Sequence, residues 1–163
     1  MNDPNAPIYW RGRYHMFYQH NPKEPVWGPM HWGHAVSPDM VRWRHMPIAL
    51  APAKAGPDKN GVWSGCAVIN NGTPTVLYTA TMPETQCLAT SRSSDLAGWR
   101  RHEGNPVIAK RPEGLELTGF RDPCVWQEAG TWYMALGSGF RGVGGAVLLY
   151  RSPDLVAWTY LHP

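Results

Sequence analysis

The 163-residue chain is long enough for one ordinary domain, and its 43% hydrophobic content can build a core. Its formal charge of +3 comes from basic residues scattered singly or in pairs, too weak a field to make nucleic acid a partner. No apolar run approaches the roughly 18 residues that cross a bilayer, which excludes a membrane-spanning helix, and 17 Gly with 16 Pro break the chain too often for long helices. The three cysteines, Cys66, Cys87 and Cys124, have neither zinc nor redox spacing, and their odd number argues against a disulfide framework.

In chain order, Asn2-Asp3-Pro4-Asn5 opens a first strand region, followed by strand-length runs at 14–18 and 32–36 rich in aromatic or β-branched residues. Ser37-Pro38-Asp39-Met40-Val41-Arg42-Trp43 then reads as a turn entering an outer strand. A second region opens on Trp63-Ser64-Gly65-Cys66, continues through runs at 75–79 and 85–90, and reaches Ser93-Ser94-Asp95-Leu96-Ala97-Gly98-Trp99. The third opens on Phe120-Arg121-Asp122-Pro123, passes runs at 131–136 and 146–150, and ends in Ser152-Pro153-Asp154-Leu155-Val156-Ala157-Trp158. The tryptophans closing these turns are 56 and 59 residues apart, a period that suits a unit of four short strands better than a helical pair.

An all-β propeller follows, with blades at about 1–50, about 60–108 and about 120–163. Blades bury their faces only against neighbours, so about three of them are expected to be a piece of a larger ring, with oligomerisation as the alternative. In such a ring the innermost strands converge on a central channel. Asp3 and Asp122 each precede a proline, which biases them to extended geometry at a strand start and aims two carboxylates at one ligand. Trp63 and Ser64 occupy the matching position of the second repeat, and that mixture of carboxylate, hydroxyl and ring face suits a small carbohydrate.

The motifs Asn2-Asp3-Pro4-Asn5, Tyr18-Gln19-His20-Asn21-Pro22, Trp27-Gly28-Pro29-Met30-His31-Trp32-Gly33-His34, Trp63-Ser64-Gly65 and Phe120-Arg121-Asp122-Pro123 resemble, in this order, the signatures of glycoside hydrolase family 32. The resemblance implies a five-bladed propeller and cleavage of β-fructosides such as sucrose or fructans, as in invertases, levanases and inulinases, with neither cofactor nor metal. It also implies that Asp3 is the nucleophile and that Asp122 binds fructose hydroxyls and stabilises the transition state, both expected in the charged form. Asn2, Gln19, Trp27, Trp63, Ser64 and Arg121 would line the fructose pocket. The family's acid/base glutamate falls beyond Pro163, since Glu113, Glu116 and Glu128 sit in a loop and a turn that suggest no such role; the chain is therefore expected to be cut at both ends and inactive alone. Ala6 stands where the family usually has glycine. Relatives work both outside cells and in the cytosol, which leaves the compartment open. The alternatives are a propeller glycosidase acting on arabinans or xylans and a non-catalytic sugar-binding propeller.

Three further signals are set aside. His31 and His34 lie an odd number of residues apart, which in a strand sends them to opposite faces and argues against a metal site. The glycine-rich stretch 137–145 lacks the following helix and Lys-Ser/Thr pair of a phosphate loop and reads as a hairpin. Trp43, Trp99 and Trp158 are expected in blade cores rather than against ligand.

Overall fold

The computed structural model describes residues 1–163, which form twelve strands and no helix. The first sheet holds β1 (Asn2–Trp10), β2 (Arg13–His20), β3 (His31–Ser37) and β4 (Arg44–Leu50). The second holds β5 (Val62–Asn70), β6 (Thr73–Ala80), β7 (Thr85–Thr90) and β8 (Arg100–Arg101), and the third β9 (Arg121–Glu128), β10 (Thr131–Phe140), β11 (Gly144–Ser152) and β12 (Thr159–His162). Each is an antiparallel meander whose strands lie side by side in chain order. Strand β5 packs against both β1 and β9, so the first strand of every sheet lies at a common hub and the sheets radiate from it as blades. The glycine-rich stretch forms the β10–β11 hairpin, with Trp132 opposite Ser152 and Phe140 opposite Gly144.

Side-chain alternation explains why the middle blade is the best-buried one. On β6, Val76, Tyr78 and Ala80 join Phe17, Trp32 and Leu50 in a cluster between the first and second blades. Leu77 and, on β7, Leu88 point the other way and join Phe120, Met134, Leu136 and Leu148 between the second and third. Residues 74–80 are accordingly all buried, whereas on β2 and over residues 131–136 of β10 only every second residue is well buried because one face of each outer blade is open. Asp58 fastens the crossover between the first two blades: its buried carboxylate accepts from Tyr78 at 2.9 Å and from Arg101 at 2.7 Å. His34 faces inward and meets His15 at 2.9 Å, while His31, on the other face, bonds the Pro29 carbonyl. Burial, with His15 adding to it against the opposing pull of Asp95, lowers His34 to about 4.

The recurring turn is a set of side-chain-to-backbone bonds. Asp39 accepts from the amides of Val41 and Arg42, Asp95 from that of Ala97, and Asp154 from those of Val156 and Ala157, each also bonding the serine two residues earlier. The next residue, Met40, Leu96 or Leu155, takes a φ of 64°, 56° or 69°, and its carbonyl receives the indole N–H of Trp43, Trp99 or Trp158. Leu96 and Leu155 are thereby driven into the cluster shared with the preceding blade, and Trp99 and Trp158 pack beside them. The expectation of a core position fails for Trp43, which is 38% exposed. It lies, with Met40, on a face of the first blade against which neither of the other two sheets packs.

This difference is measurable. Leu96→Ala is expected to lower the unfolding free energy by about 2–5 kcal/mol, whereas Met40→Ala, at the equivalent but exposed position, should change it by no more than about 0.5 kcal/mol. Urea denaturation of both variants checks the contrast.

Candidate active site

Each hub strand carries one extra residue at its start. Between Asn2 and Pro4, opposite Gln19 and Tyr18, the surplus residue is Asp3; between Val62 and Gly65, opposite Ala80 and Tyr78, it falls at Trp63 and Ser64; between Arg121 and Cys124, opposite Gly137 and Ala135, it falls at Asp122 and Pro123. A β-bulge of this kind bends the strand and re-aims a side chain that regular alternation would have sent to a blade face. Asp3 and Asp122 have φ of 42° and 58°, so the extended geometry expected from the following prolines is wrong for both. The bulge overrides the proline's preference, and φ in the left-handed region is strain of the kind that collects at functional sites.

Every bulge is held by a side chain bonding its backbone. Asn5, buried behind the first, donates its amide to the Asp3 carbonyl at 3.1 Å. Trp32 of β3 donates its indole N–H to the Trp63 carbonyl at 3.0 Å. Thr79 of β6 accepts the Asp122 amide N–H at 3.1 Å. Gly65 completes the second bulge, since a Cβ there would collide with the Leu77 carbonyl. Ala6 shows why glycine would suit its position: it sits at φ 47° beside a further irregularity in β1.

The bulges bring seven residues around one depression of about 310 Å³: Asp3, Gln19, Trp27, Trp63, Ser64, Arg121 and Asp122. Of the eight residues expected at the site, only Asn2 lies apart. It lines an adjoining depression, which Trp27 separates from the first and which also takes in His20 and Lys23. The bulge re-aims Asp3 away from the direction of its neighbour, which divides Asn2 from Asp3. Trp27 meets Trp63 edge-on, with ring centroids 5.7 Å apart. Gln19 is 1% exposed, yet neither atom of its amide has a partner. An amide buried unpaired at the floor of a depression is costly unless a ligand supplies the hydrogen bonds.

The charges are arranged around Arg121. Its guanidinium lies 5.7 Å from the Trp63 ring centre, donates to Glu84 at 2.9 Å and stands 4.0 Å from the Asp122 carboxylate. Glu84 is also gripped by Arg111 at 2.7 Å, and Arg111 donates in turn to the Leu117 carbonyl. Partial burial pushes the Asp122 carboxyl above the ordinary carboxylate range, Arg121 opposes this, and Asp3 and Glu84 reinforce it. The Asp122 side chain is 57% exposed, so solvent keeps the effect small. Asp3 and Asp122 both line the depression, close enough for the charge of one to bear on the other. Glu84 and Thr79 were not among the sequence candidates, because neither belongs to a motif and both act across a blade boundary.

The whole chain, residues 1–163, matches the family described as the glycosyl hydrolases family 32 N-terminal domain. The chain belongs to glycoside hydrolase family 32. A sucrose-6-phosphate hydrolase of Escherichia coli is 47% identical over 98% of the chain and 34% of its own length, and a raffinose invertase of the same organism is 42% identical over 99% and 35%. Among solved structures, fructan 1-exohydrolase IIa of Cichorium intybus superposes with a TM-score of 0.89 at 38% identity, over 99% of the chain and 31% of its own. A Bombyx mori β-fructofuranosidase of family 32 gives 0.85 at 41% identity, over 99% and 34%. The chain thus spans about a third of the length of the family 32 relatives it matches.

The electrostatic coupling within this family 32 site can be tested directly. Asp3→Asn is expected to lower the pKa of Asp122 by removing a like charge, and Arg121→Gln to raise it by removing the opposing one. Carbon-13 NMR titration of the Asp122 carboxyl in the two variants should show shifts of opposite sign.

Proposed function

We propose that the depression binds the fructosyl unit of a β-fructoside such as sucrose or a fructan, and that the protein carrying these blades hydrolyses the fructosidic bond with retention. The observation that carries this reading is the placement of Asp3 and Asp122, from separate blades, on one small depression beside the unpartnered amide of Gln19. Asp3 attacks the anomeric carbon to form a covalent fructosyl-enzyme, which water then hydrolyses. Asp122 accepts hydrogen bonds from fructose hydroxyls and stabilises positive charge as the ring flattens. Gln19, Ser64 and Arg121 orient further hydroxyls, Trp27 and Trp63 wall the sugar, and Asn2 contributes from the adjoining depression.

A retaining mechanism needs a protonated carboxyl roughly 5 Å from the nucleophile. Apart from Asp3 and Asp122 no carboxylate lines the depression, and both oxygens of neighbouring Glu84 are engaged by guanidinium groups. We therefore assign the donor to a residue outside 1–163, and residues 1–163 alone should turn over fructosides at least about 100-fold more slowly than the intact enzyme. The relatives support the choice of substrate, since their names include sucrose-6-phosphate hydrolase, raffinose invertase and β-fructofuranosidase, and the chicory exohydrolase has been solved with 1-kestose. These substrates differ beyond the fructosyl unit, which is the part that the depression would hold.

In the intact protein, Asp3→Asn is expected to lower kcat on sucrose or 1-kestose by at least about a thousandfold while sugar binding persists. Kinetics together with calorimetric titration check both halves. Turnover that survives the substitution would remove Asp3 from the role of nucleophile and favour a sugar-binding site of another kind.

A further inference from the structure

We infer that the β6–β7 hairpin of the second blade is the positioning device for Arg121 and Asp122 of the third, with Thr79 and Gln86 fixing the backbone and Glu84 fixing the guanidinium. Thr79 and Gln86 are directly opposite each other in the hairpin and both are fully buried. The Gln86 amide nitrogen donates to the Phe120 carbonyl at 2.7 Å, and its oxygen accepts from the Thr79 hydroxyl at 2.9 Å. With its proton committed there, the Thr79 oxygen is left as an acceptor, and it takes the Asp122 N–H at 3.1 Å. The directions are forced: a carbonyl only accepts, so the nitrogen of Gln86 must face Phe120 and its oxygen must face Thr79. The main-chain groups of Gln86 are tied separately to Ile108, at 2.9 and 3.3 Å, so the side chain works from a fixed base.

The relay spans the two residues on either side of Arg121. It therefore grips the chain where Asp122 adopts φ 58°, a conformation that a free aspartate leaves readily. Glu84, at the tip of the same hairpin, adds the second hold by bonding Arg121 and Arg111 together. Nothing in the hairpin lines the depression, so its three polar residues act through Arg121 and Asp122 rather than on a ligand. A completed network in a low-dielectric interior is rigid, and the loss of one member leaves its partners unpaired.

This inference rests on the fructosidase reading of the site, and its test uses the intact protein. Thr79→Val removes the hydroxyl at nearly constant volume, and kcat on sucrose or 1-kestose should fall by about 10- to 100-fold, with KM changed much less, because a displaced stabilising group is felt most in the transition state. Exchange of the Asp122 amide hydrogen should accelerate in the same variant. Thr79→Ser, which keeps the oxygen, should restore most of both. Glu84→Gln lies at the hairpin tip, leaves the core untouched and decides the matter if Thr79→Val fails to fold; it too should lower kcat more than it raises KM. Wild-type kinetics in Thr79→Val and Glu84→Gln, or an equal loss in Thr79→Ser and Thr79→Val, would overturn the inference. Wild-type protein inert toward β-fructosides would instead sink the reading of the site. Asp122 amide protection would then still support the clamp if Thr79→Val abolished it, and refute it if protection were unchanged.

Discussion

One surplus residue at the start of each hub strand is the constraint on which the site depends. A regular strand alternates its side chains between the two faces of its blade, and both faces are wanted for packing against neighbouring blades. Nothing would then point along the channel. The bulges at Asp3, at Trp63-Ser64 and at Asp122 break the alternation once per blade at the same level, and so direct side chains from three blades into one depression. The strain at φ 42° and 58° is borne because each bulge is pinned from outside itself, by Asn5, by Trp32 and by Thr79.

Two of these three pins come from the preceding blade, and that ties the chemistry to the packing. Trp32 is buried in the cluster between the first and second blades and bonds the second blade's bulge. Thr79 and Gln86 sit on the second blade and bond, respectively, the bulge of the third and the Phe120 carbonyl just before it. The turn motifs work in the same direction, since Leu96 and Leu155 each reach back to a cluster shared with the blade before. A core substitution between blades therefore shifts a catalytic candidate as well as costing stability. The depression is a property of the interfaces rather than of any single sheet.

What could be read from the sequence was the part encoded locally. The Ser-x-Asp-x-x-x-Trp turns are stabilised by bonds between residues no more than a few positions apart, so they recur visibly and betray the blade period. Seven of the eight expected site residues meet at the depression: Asp3, Trp63, Ser64, Arg121 and Asp122 because their motifs mark the bulges themselves, and Gln19 and Trp27 from β2 and the loop after it. The failures share a cause. Proline's influence on its predecessor was judged without the bulge that outweighs it, and Trp43 was placed in a core whose other half it does not meet. Thr79, Glu84 and Gln86 escaped notice because the groups of the third blade that they bond are 34 to 43 residues away. Aligning the repeats does offer a clue: Tyr78-Thr79 falls where Tyr18-Gln19 does, and Gln19 was singled out.

The charge pattern at the hub has its own logic. Asp3, Asp122 and Glu84 bring three formal negative charges, and Arg111 and Arg121 bring two positive ones, which leaves a surplus of one negative charge around the depression. Two isolated carboxylates facing one space would repel and favour protonation of one of them. Arg121 relieves that pressure on Asp122, and Glu84, itself held by Arg111, ties the guanidinium at the edge of the depression, 4.0 Å from the Asp122 carboxylate. Both aspartates are then left available to a ligand. For a reaction whose transition state resembles an oxocarbenium ion, a site poised one charge negative and held rigid by its neighbours stabilises the cation as it forms, with little reorganisation. A neutral or positive hub would oppose it, so on the proposed reading the pairing of each arginine with Glu84 would serve the chemistry from outside the depression, which Glu84 does not line.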